Sequence, residues 1–546
     1  MTRQEEAQRL VRLGVHDATS VLDEIADTAD PLLALFMLER LIEVSPAGAS
    51  GHRARLLHEL ASAVPLRRRL FAVLGASVAL GEHLVASADS FAAEPVWACL
   101  LSDESGSGDL DRSGVVELRG DYRRELLQIA ARDLLGDADL VDVTAQLSAL
   151  ADNTLRAALQ LAGSPGVELT LLAMGKCGAR ELNYVSDVDV LFVSPDAEHG
   201  AATGCARRLM QICREVAWQV DAGLRPEGQQ GPLVRSIDSY LAYYRKWADS
   251  WEFQALLKAR WVTSLSGSPD VAQAWQRLIA PMVWTAASRP QFVADVQAMR
   301  RRVERHVGTG GEHDIKLGPG GLRDIEFAVQ LLQLVHGQAD AALRTPGTFA
   351  ALDALTSGGY VGRADGAALR DSYRFLRLTE HRLQLHSLRR THRLPSEPRQ
   401  LRLLARSLGY HRPEVGPIRG GDSVENFLAD WHRHRVQVRQ LHEKLFYRPL
   451  LSAAARLPGD AIRLTSDAAR QRLAVLGYAD PSSALRHVSA LTSGVSRRAA
   501  IQRSLLPVIL AELANCPDPD AGLLAYRRVS EQLGRSPGFL RLMRDG

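Results

Sequence analysis

Two apolar runs joined by a glycine turn and a pair of aspartates constrain this chain more than any other feature. Leu169-Thr170-Leu171-Leu172-Ala173-Met174 is followed by Gly175-Lys176-Cys177-Gly178-Ala179-Arg180, and Asp187 and Asp189 stand at the mouth of the second run, Val188 to Val193. Short apolar runs bounded by glycine read as buried strands. Side chains at i and i+2 of a strand share a face, so Asp187 and Asp189 project together from one sheet edge, roughly 7 Å apart. Carboxylates that close in a poorly solvated cleft repel each other, and a divalent cation relieves the repulsion. Mg²⁺, typically held by one or two carboxylates plus substrate phosphates, is the expected ion. A bare D-x-D is also what a solvated turn entering a strand looks like. The preceding strand, the glycine turn and the short helical link set this one apart. Gly175, Lys176 and Gly178 would let backbone N–H groups approach a phosphate, and a short helix from about Ala179 would aim its N-terminus at the same anion.

A second glycine turn, Lys316-Leu317-Gly318-Pro319-Gly320-Gly321, opens a helix with Leu322, Ile325, Val329 and Leu332 on one face. It offers Lys316 and Arg323 as cations for a phosphate, with Asp324 and Glu326 as acids. The plain alternative is a helix start whose charged first turn favours the dipole. Glu252 and Lys258 read as solvated charges or as residues supporting the site from behind.

At 546 residues the chain is too long for one core. Residues 1–135 read as stacked amphipathic helices, with Leu32, Leu35, Leu38 and Ile42 at helical spacing and a loop at Ser102 to Asp109. Residues 136–290 alternate strand-like runs with helices and suggest a small α/β sheet, to which Val220 to Leu224 adds a short strand. Residues 239–260 read as helical, their stripe of Tyr240, Tyr243, Tyr244, Trp247 and Trp251 as core. Residues 291–450 form a helical domain. Residues 451–546 are broken by Pro481, Pro507, Pro517 and Pro519 into a helical connecting region.

The net charge of +3 gives no general attraction to nucleic acid or membrane. Only five residues are lysine, and three of them, Lys176, Lys258 and Lys316, fall in the motifs described here. Five scattered cysteines without C-x-x-C argue against zinc or a disulfide framework and suit a reducing cytoplasm. The most apolar early stretch, Leu32 to Ile42, is interrupted by Glu39 and Arg40 and is too short to span a bilayer. His381, His386 and His392 lack zinc spacing and read as solvated or hydrogen-bonded.

The run Gly175-Lys176-x-Gly178-x-x-Glu181-Leu182-Asn183-Tyr184-x-Ser186-Asp187-x-Asp189 resembles the active-site signature of the glutamine-synthetase adenylyltransferase/adenylyl-removing enzymes. These belong to the DNA polymerase β-like nucleotidyltransferase superfamily. The resemblance continues through Val220 to Gly228, through Trp251-Glu252 to Arg260, and through Lys316 to Phe327. It implies a mostly α, multidomain protein around an α/β nucleotidyltransferase core. It also implies that Asp221 is a third metal-binding carboxylate, catalytic with Asp187 and Asp189, and that Ser186 belongs to the nucleotide-binding set. Many relatives carry Arg where this chain has Gly223, so a phosphate contact there is expected to pass to Arg225.

Such an enzyme acts on glutamine synthetase, with phosphate, ADP and ATP as small partners and a PII-type signal protein as a further one. Since no second glycine turn with D-x-D occurs, the chain looks like the first of the family's two catalytic halves plus the start of the connecting region. That half removes AMP from a modified tyrosine by phosphorolysis. Addition of AMP from ATP, a non-catalytic docking module, and a nucleotidyltransferase for tRNA or small molecules remain as other readings.

Overall fold

The computed structural model describes residues 2–533 apart from 47–50, 89–93, 103–109, 111–112, 196–199, 266–269, 290–291, 293–294, 296–310, 412–421, 456–469, 471–472, 475–476, 494–501, 503–505, 507–508, 511 and 515–517. The expected loop at Ser102 to Asp109 lies, from residue 103 on, outside the described residues, as do Pro507 and Pro517. The molecule is mostly helical, with one small mixed sheet.

Strands β1 (Leu169–Ala173), β2 (Val188–Val193), β3 (Val220–Asp221), β4 (Val234–Arg235) and β5 (Arg260–Leu265) build that sheet, in the order β3-β2-β1-β5 with β4 also paired to β2. β1 is buried along its whole length, as a continuous apolar run requires. It pairs antiparallel with β2 and with β5. β2 receives β3 in parallel at its start, Val188 against Val220 and Asp189 against Asp221, and β4 in parallel at its end. Sequence periodicity finds β1, β2 and β3. It misses β4 and β5, because two residues carry no pattern and because Arg260-Trp261-Val262-Thr263 mixes polar and apolar positions on an edge. The stretch 239–260 is accordingly two helices, Ile237–Lys246 and Ser250–Leu256, running into that edge strand. Of its aromatics, Tyr240 and Tyr244 are core, whereas Trp247 and Trp251 are 66% and 39% exposed.

Behind the sheet lies the helix Leu140–Ala162, started by Asp139, whose carboxylate accepts from the Asp142 amide at 2.9 Å. Its apolar face meets β5 and the helix Gly200–Val216. The amino-terminal helices pack into the same apolar core, which runs without a break from Leu10 to Val262. Within the helix Pro31–Val44, Leu35, Leu38 and Ile42 are buried as expected, but Leu32 is 65% exposed: it sits at the second position, on the solvent side of the turn that Asp30 caps. No single described helix is long and apolar enough to cross a membrane; Val64–Ala76 and Val78–Ser87 pass such a test only as a pair bent by 119°.

A second core joins the helices Leu322–His336, Thr348–Ser357, Arg363–Ser387 and the described part of Ser423–Ala455. Leu322, Ile325, Val329 and Leu332 lie in it as their spacing requires. A third fills the other sheet face, between Leu172 and Leu191 and the helices beyond β4. A small cluster from Leu473 to Leu523 stands apart in sequence.

The helix Arg363–Ser387 is tied to the helix Val115–Leu135 and to the loop before β2 by polar side chains. Arg382 grips the Asp133 carboxylate at 2.6 and 2.8 Å, and the Tyr184 hydroxyl donates to the same carboxylate at 2.7 Å, all in the interior. Removing one partner of a buried pair leaves an uncompensated charge. Arg382→Ala is therefore expected to cost about 3–5 kcal/mol in urea unfolding; a loss below about 1 kcal/mol would mean that the pair behaves like an exposed one.

Candidate active site

The β2–β3 register brings the carboxylates together. Asp189 lies directly across from Asp221, and Asp187 is two residues before it at the strand mouth. Burial first, then the Asp221 and Asp187 carboxylates, raise the Asp189 pKa from 3.8 to about 6, against the pull of Lys316 and Arg390. Asp221 accepts from the Gly223 amide at 2.7 Å, and a Cβ at residue 223 would come within 2.9 Å of the same oxygen. Asp187 is ion-paired with Arg390. Arg390 follows the helix Arg363–Ser387 by three residues, past Leu388, which holds a left-handed φ of 45°. Sequence reasoning passed over Arg390, because it stands in an arginine-rich stretch where nothing distinguishes one guanidinium from the next.

Among the described residues no group of three His, Cys, Asp or Glu side chains forms a ready-made metal centre. The chemistry of the donors fits a hard divalent cation all the same. They are carboxylates, they repel one another enough to shift Asp189, and a guanidinium already stands on one of them.

The glycine turn is a four-residue helical turn, Gly175–Gly178, pinned to β2 by a 2.8 Å bond from the Met174 amide to the Asp189 carbonyl. Gly175 has φ +54, and a Cβ there would fall 2.2 Å from Asp189 Oδ2, so only glycine lets the turn stand against that carboxylate. Gly178 abuts the Lys258 carbonyl, which a Cβ would meet at 1.9 Å. Its place is explained by packing. Ser186 donates to the Asp187 carbonyl at 3.0 Å.

Two expected phosphate ligands have other partners. Lys176 is 3.3 Å from Glu380, and burial lowers its pKa to about 8 in spite of that carboxylate. Arg225 donates to the carbonyls of Gly231, Ala222 and Gln229 at 3.0, 2.8 and 3.1 Å and so shapes the 222–231 loop. The second glycine turn also differs from an open anion cradle. The amides of Leu322, Arg323 and Asp324, at the start of the helix, donate to the carbonyls of Ile315, Lys316 and Gly321. Gly320, at φ +74, lies against the Arg435 carbonyl. Of its two cations, Lys316 is close enough to act on Asp189.

The rest of the motif builds a buried ionic cluster. Glu181 accepts from the Thr348 amide at 2.6 Å and from its hydroxyl at 2.9 Å, starting the helix Thr348–Ser357, and lies 3.7 Å from Lys258. Arg377 donates to the Glu181 carbonyl at 2.6 Å and reaches Glu380. Burial would raise Glu326, but Lys258, Lys176, Lys316 and Arg377 together hold its pKa at about 2. Lys258 is therefore interior, not solvated. Glu252 is interior too, bonded by the Tyr243 hydroxyl and capping its own helix. The histidines divide. His381 is fully buried against Tyr184 with no hydrogen bond to either ring nitrogen, and burial with Arg377 keeps it neutral, while His392 stands 3.4 Å from Asp314.

Residues 108–277 match the family model described as glutamate-ammonia ligase adenylyltransferase, and residues 291–446 match that of the GlnD PII-uridylyltransferase. A bifunctional glutamine synthetase adenylyltransferase/adenylyl-removing enzyme of Streptomyces coelicolor is 51% identical over 96% of this chain and 54% of its own length. The enzymes of the same name from Nocardia farcinica and Corynebacterium glutamicum are 45% and 42% identical, each over 97% of this chain and 55% of their own. The chain spans about half the length of the curated relatives it matches. By the likeness that runs along nearly its whole length, it belongs to the glutamine synthetase adenylyltransferase/adenylyl-removing enzyme family.

Proposed function

We propose that the chain has a DNA polymerase β-like nucleotidyltransferase core and removes AMP from the adenylylated tyrosine of glutamine synthetase by phosphorolysis. Its parts are then the amino-terminal helices 1–135, the core 136–290, the helical domain 291–450 and the connecting region 451–546. The observation that carries the reading is the parallel register of β2 and β3, with Asp189 across from Asp221 and Asp187 at the strand mouth. These three would hold Mg²⁺, which when bound neutralises the phosphoryl oxygens and steadies both the attacking and the departing oxygen. The residues of the chain supply the rest. Gly175 keeps the turn against Asp189, Lys316 and Arg323 offer side-chain cations to phosphate, and Arg390 would have to give up Asp187 for that carboxylate to hold a metal.

An oxygen of inorganic phosphate attacks phosphorus, and the bond from phosphorus to the tyrosyl oxygen breaks. The tyrosyl oxygen takes the proton that phosphate gives up, and ADP departs. A phosphate dianion needs no base to attack, whereas a tyrosine hydroxyl, with its pKa near 10, does. The relatives' names cover addition of AMP as well. The match of residues 291–446 to the PII-uridylyltransferase model supports a PII-type signal protein as a further partner. Free cysteines suit the cytoplasm.

Asp189→Asn should lower turnover by several orders of magnitude, since transition-state charge stabilisation is worth several kcal/mol. The same variant should raise the melting temperature of the metal-free chain, because it removes a repelled carboxylate. Turnover within tenfold of the parent would sink the assignment.

Arg390→Gln should bind Mn²⁺ several-fold more tightly in the absence of substrate, as measured by electron paramagnetic resonance, since a competing cation is gone. Looser binding would show that Arg390 does not compete with metal at Asp187.

With adenylylated glutamine synthetase, Mg²⁺ and phosphate, the released nucleotide should be ADP by mass analysis. AMP would point to water as the nucleophile, and robust addition of AMP from ATP without removal would reverse the direction.

A further inference from the structure

On the other side of the glycine turn is an open cleft of about 790 Å³ that shares no lining residue with the three aspartates. Its volume is that of a small-molecule site. Five separate parts of the chain contribute to it: Arg156 from the helix Leu140–Ala162, Arg180 just after the turn, Trp261 from the sheet edge, Trp284 from the helix Ala280–Thr285, and Arg344 further along.

Three features set this cleft apart. The first is backbone strain. Arg180 holds φ +58, a left-handed conformation that glycine adopts freely and a long side chain does not. An arginine kept there at a cost in stability points to a task for its side chain. That side chain is exposed, and among the described residues it has no partner.

The second is charge. The one acid in the lining, Asp152, is taken up by Arg260 through two 2.9 Å bonds. Among the described residues, no carboxylate is paired with Arg156, Arg180 or Arg344. Arg156 bonds the neutral amide of Asn153, and Arg344 bonds the Gly337 and Gln338 carbonyls while lying over Trp284.

The third is an aromatic surface. Trp261 is 47% exposed, with its indole N–H satisfied by Ser264 at 3.1 Å, so an apolar ring is open to water beside the arginines. Guanidinium groups matched to phosphate oxygens and an indole face matched to a base together recognise a nucleotide.

We propose that this cleft is a second nucleotide site, binding a nucleoside di- or triphosphate with its base on Trp261 and its phosphates on Arg156 and Arg180, without a metal from the three aspartates. Stacking on one aromatic tolerates any base, so the site selects for phosphates and a ring more than for adenine.

The test uses the full chain carrying Asp189→Asn, in EDTA, titrated with ADP by calorimetry. Saturable one-to-one binding is expected. Trp261→Ala should weaken it about tenfold or more. Arg180→Gly should weaken it to a similar degree with a melting temperature no lower than the parent's, since glycine relieves the left-handed strain; a purely structural Arg180 would not lose binding while keeping stability. Adenosine alone and tripolyphosphate alone should each bind more weakly than ADP. Absence of ADP binding in EDTA overturns the proposal, as does undiminished binding in both variants. Tripolyphosphate binding as tightly as ADP would show a plain anion site and overturn the nucleotide assignment.

Discussion

A lysine taken out of water needs a carboxylate beside it, and the fold is arranged around meeting that need for Lys176. Its partner Glu380 comes from a helix far along the chain, and around the pair stand Arg377, Glu181, Lys258, Glu326 and Lys316. Each charge is tolerable in the interior only while the others are present. The glycine turn, the mouth of β2, the second glycine turn and the helix Arg363–Ser387 are therefore fixed relative to one another. The three aspartates lie at the edge of this arrangement, on the side where negative charge is in excess.

The division of labour inside the glycine motif follows from this. Gly175 faces Asp189, whereas Lys176 and Glu181 reach the helical domain and Tyr184 reaches Asp133 of the helix Val115–Leu135. A motif that reads as one active-site signature is half a turn against Asp189 and half a clamp. The clamp part decides where the helix carrying Arg377, Glu380 and Arg382 can lie, and so where Arg390, just beyond its end, can reach.

What was legible in the sequence follows the range of the interactions. The strands β1 and β2 and the shared face of Asp187 and Asp189 are local, encoded by a period of two, and were readable. Asp221 came from family likeness, since a two-residue strand has no pattern of its own; the register that pairs it with Asp189 is a long-range fact. The roles of Lys176, Arg225 and Lys258 could not be read, because a cation beside glycines looks the same whether it meets a phosphate, a carbonyl or a buried glutamate. Arg390 and Arg180 were hidden for related reasons. One depends on where a distant helix ends, the other on a backbone angle that composition does not reveal.

Glu380 follows Lys176 by 204 residues. At 5–20 residues per second, a ribosome needs about 10–40 s to make the intervening chain. During that interval the sheet strands and the glycine turn already exist as sequence, but the carboxylate that makes burial of Lys176 tolerable does not. The amino-terminal helices and the sheet can collapse on their shared apolar core early, while the glycine turn keeps its lysine in water. The glycine turn beside the three aspartates thus closes later during synthesis than the hydrophobic body beneath it, and stays open to chaperones and proteases longer.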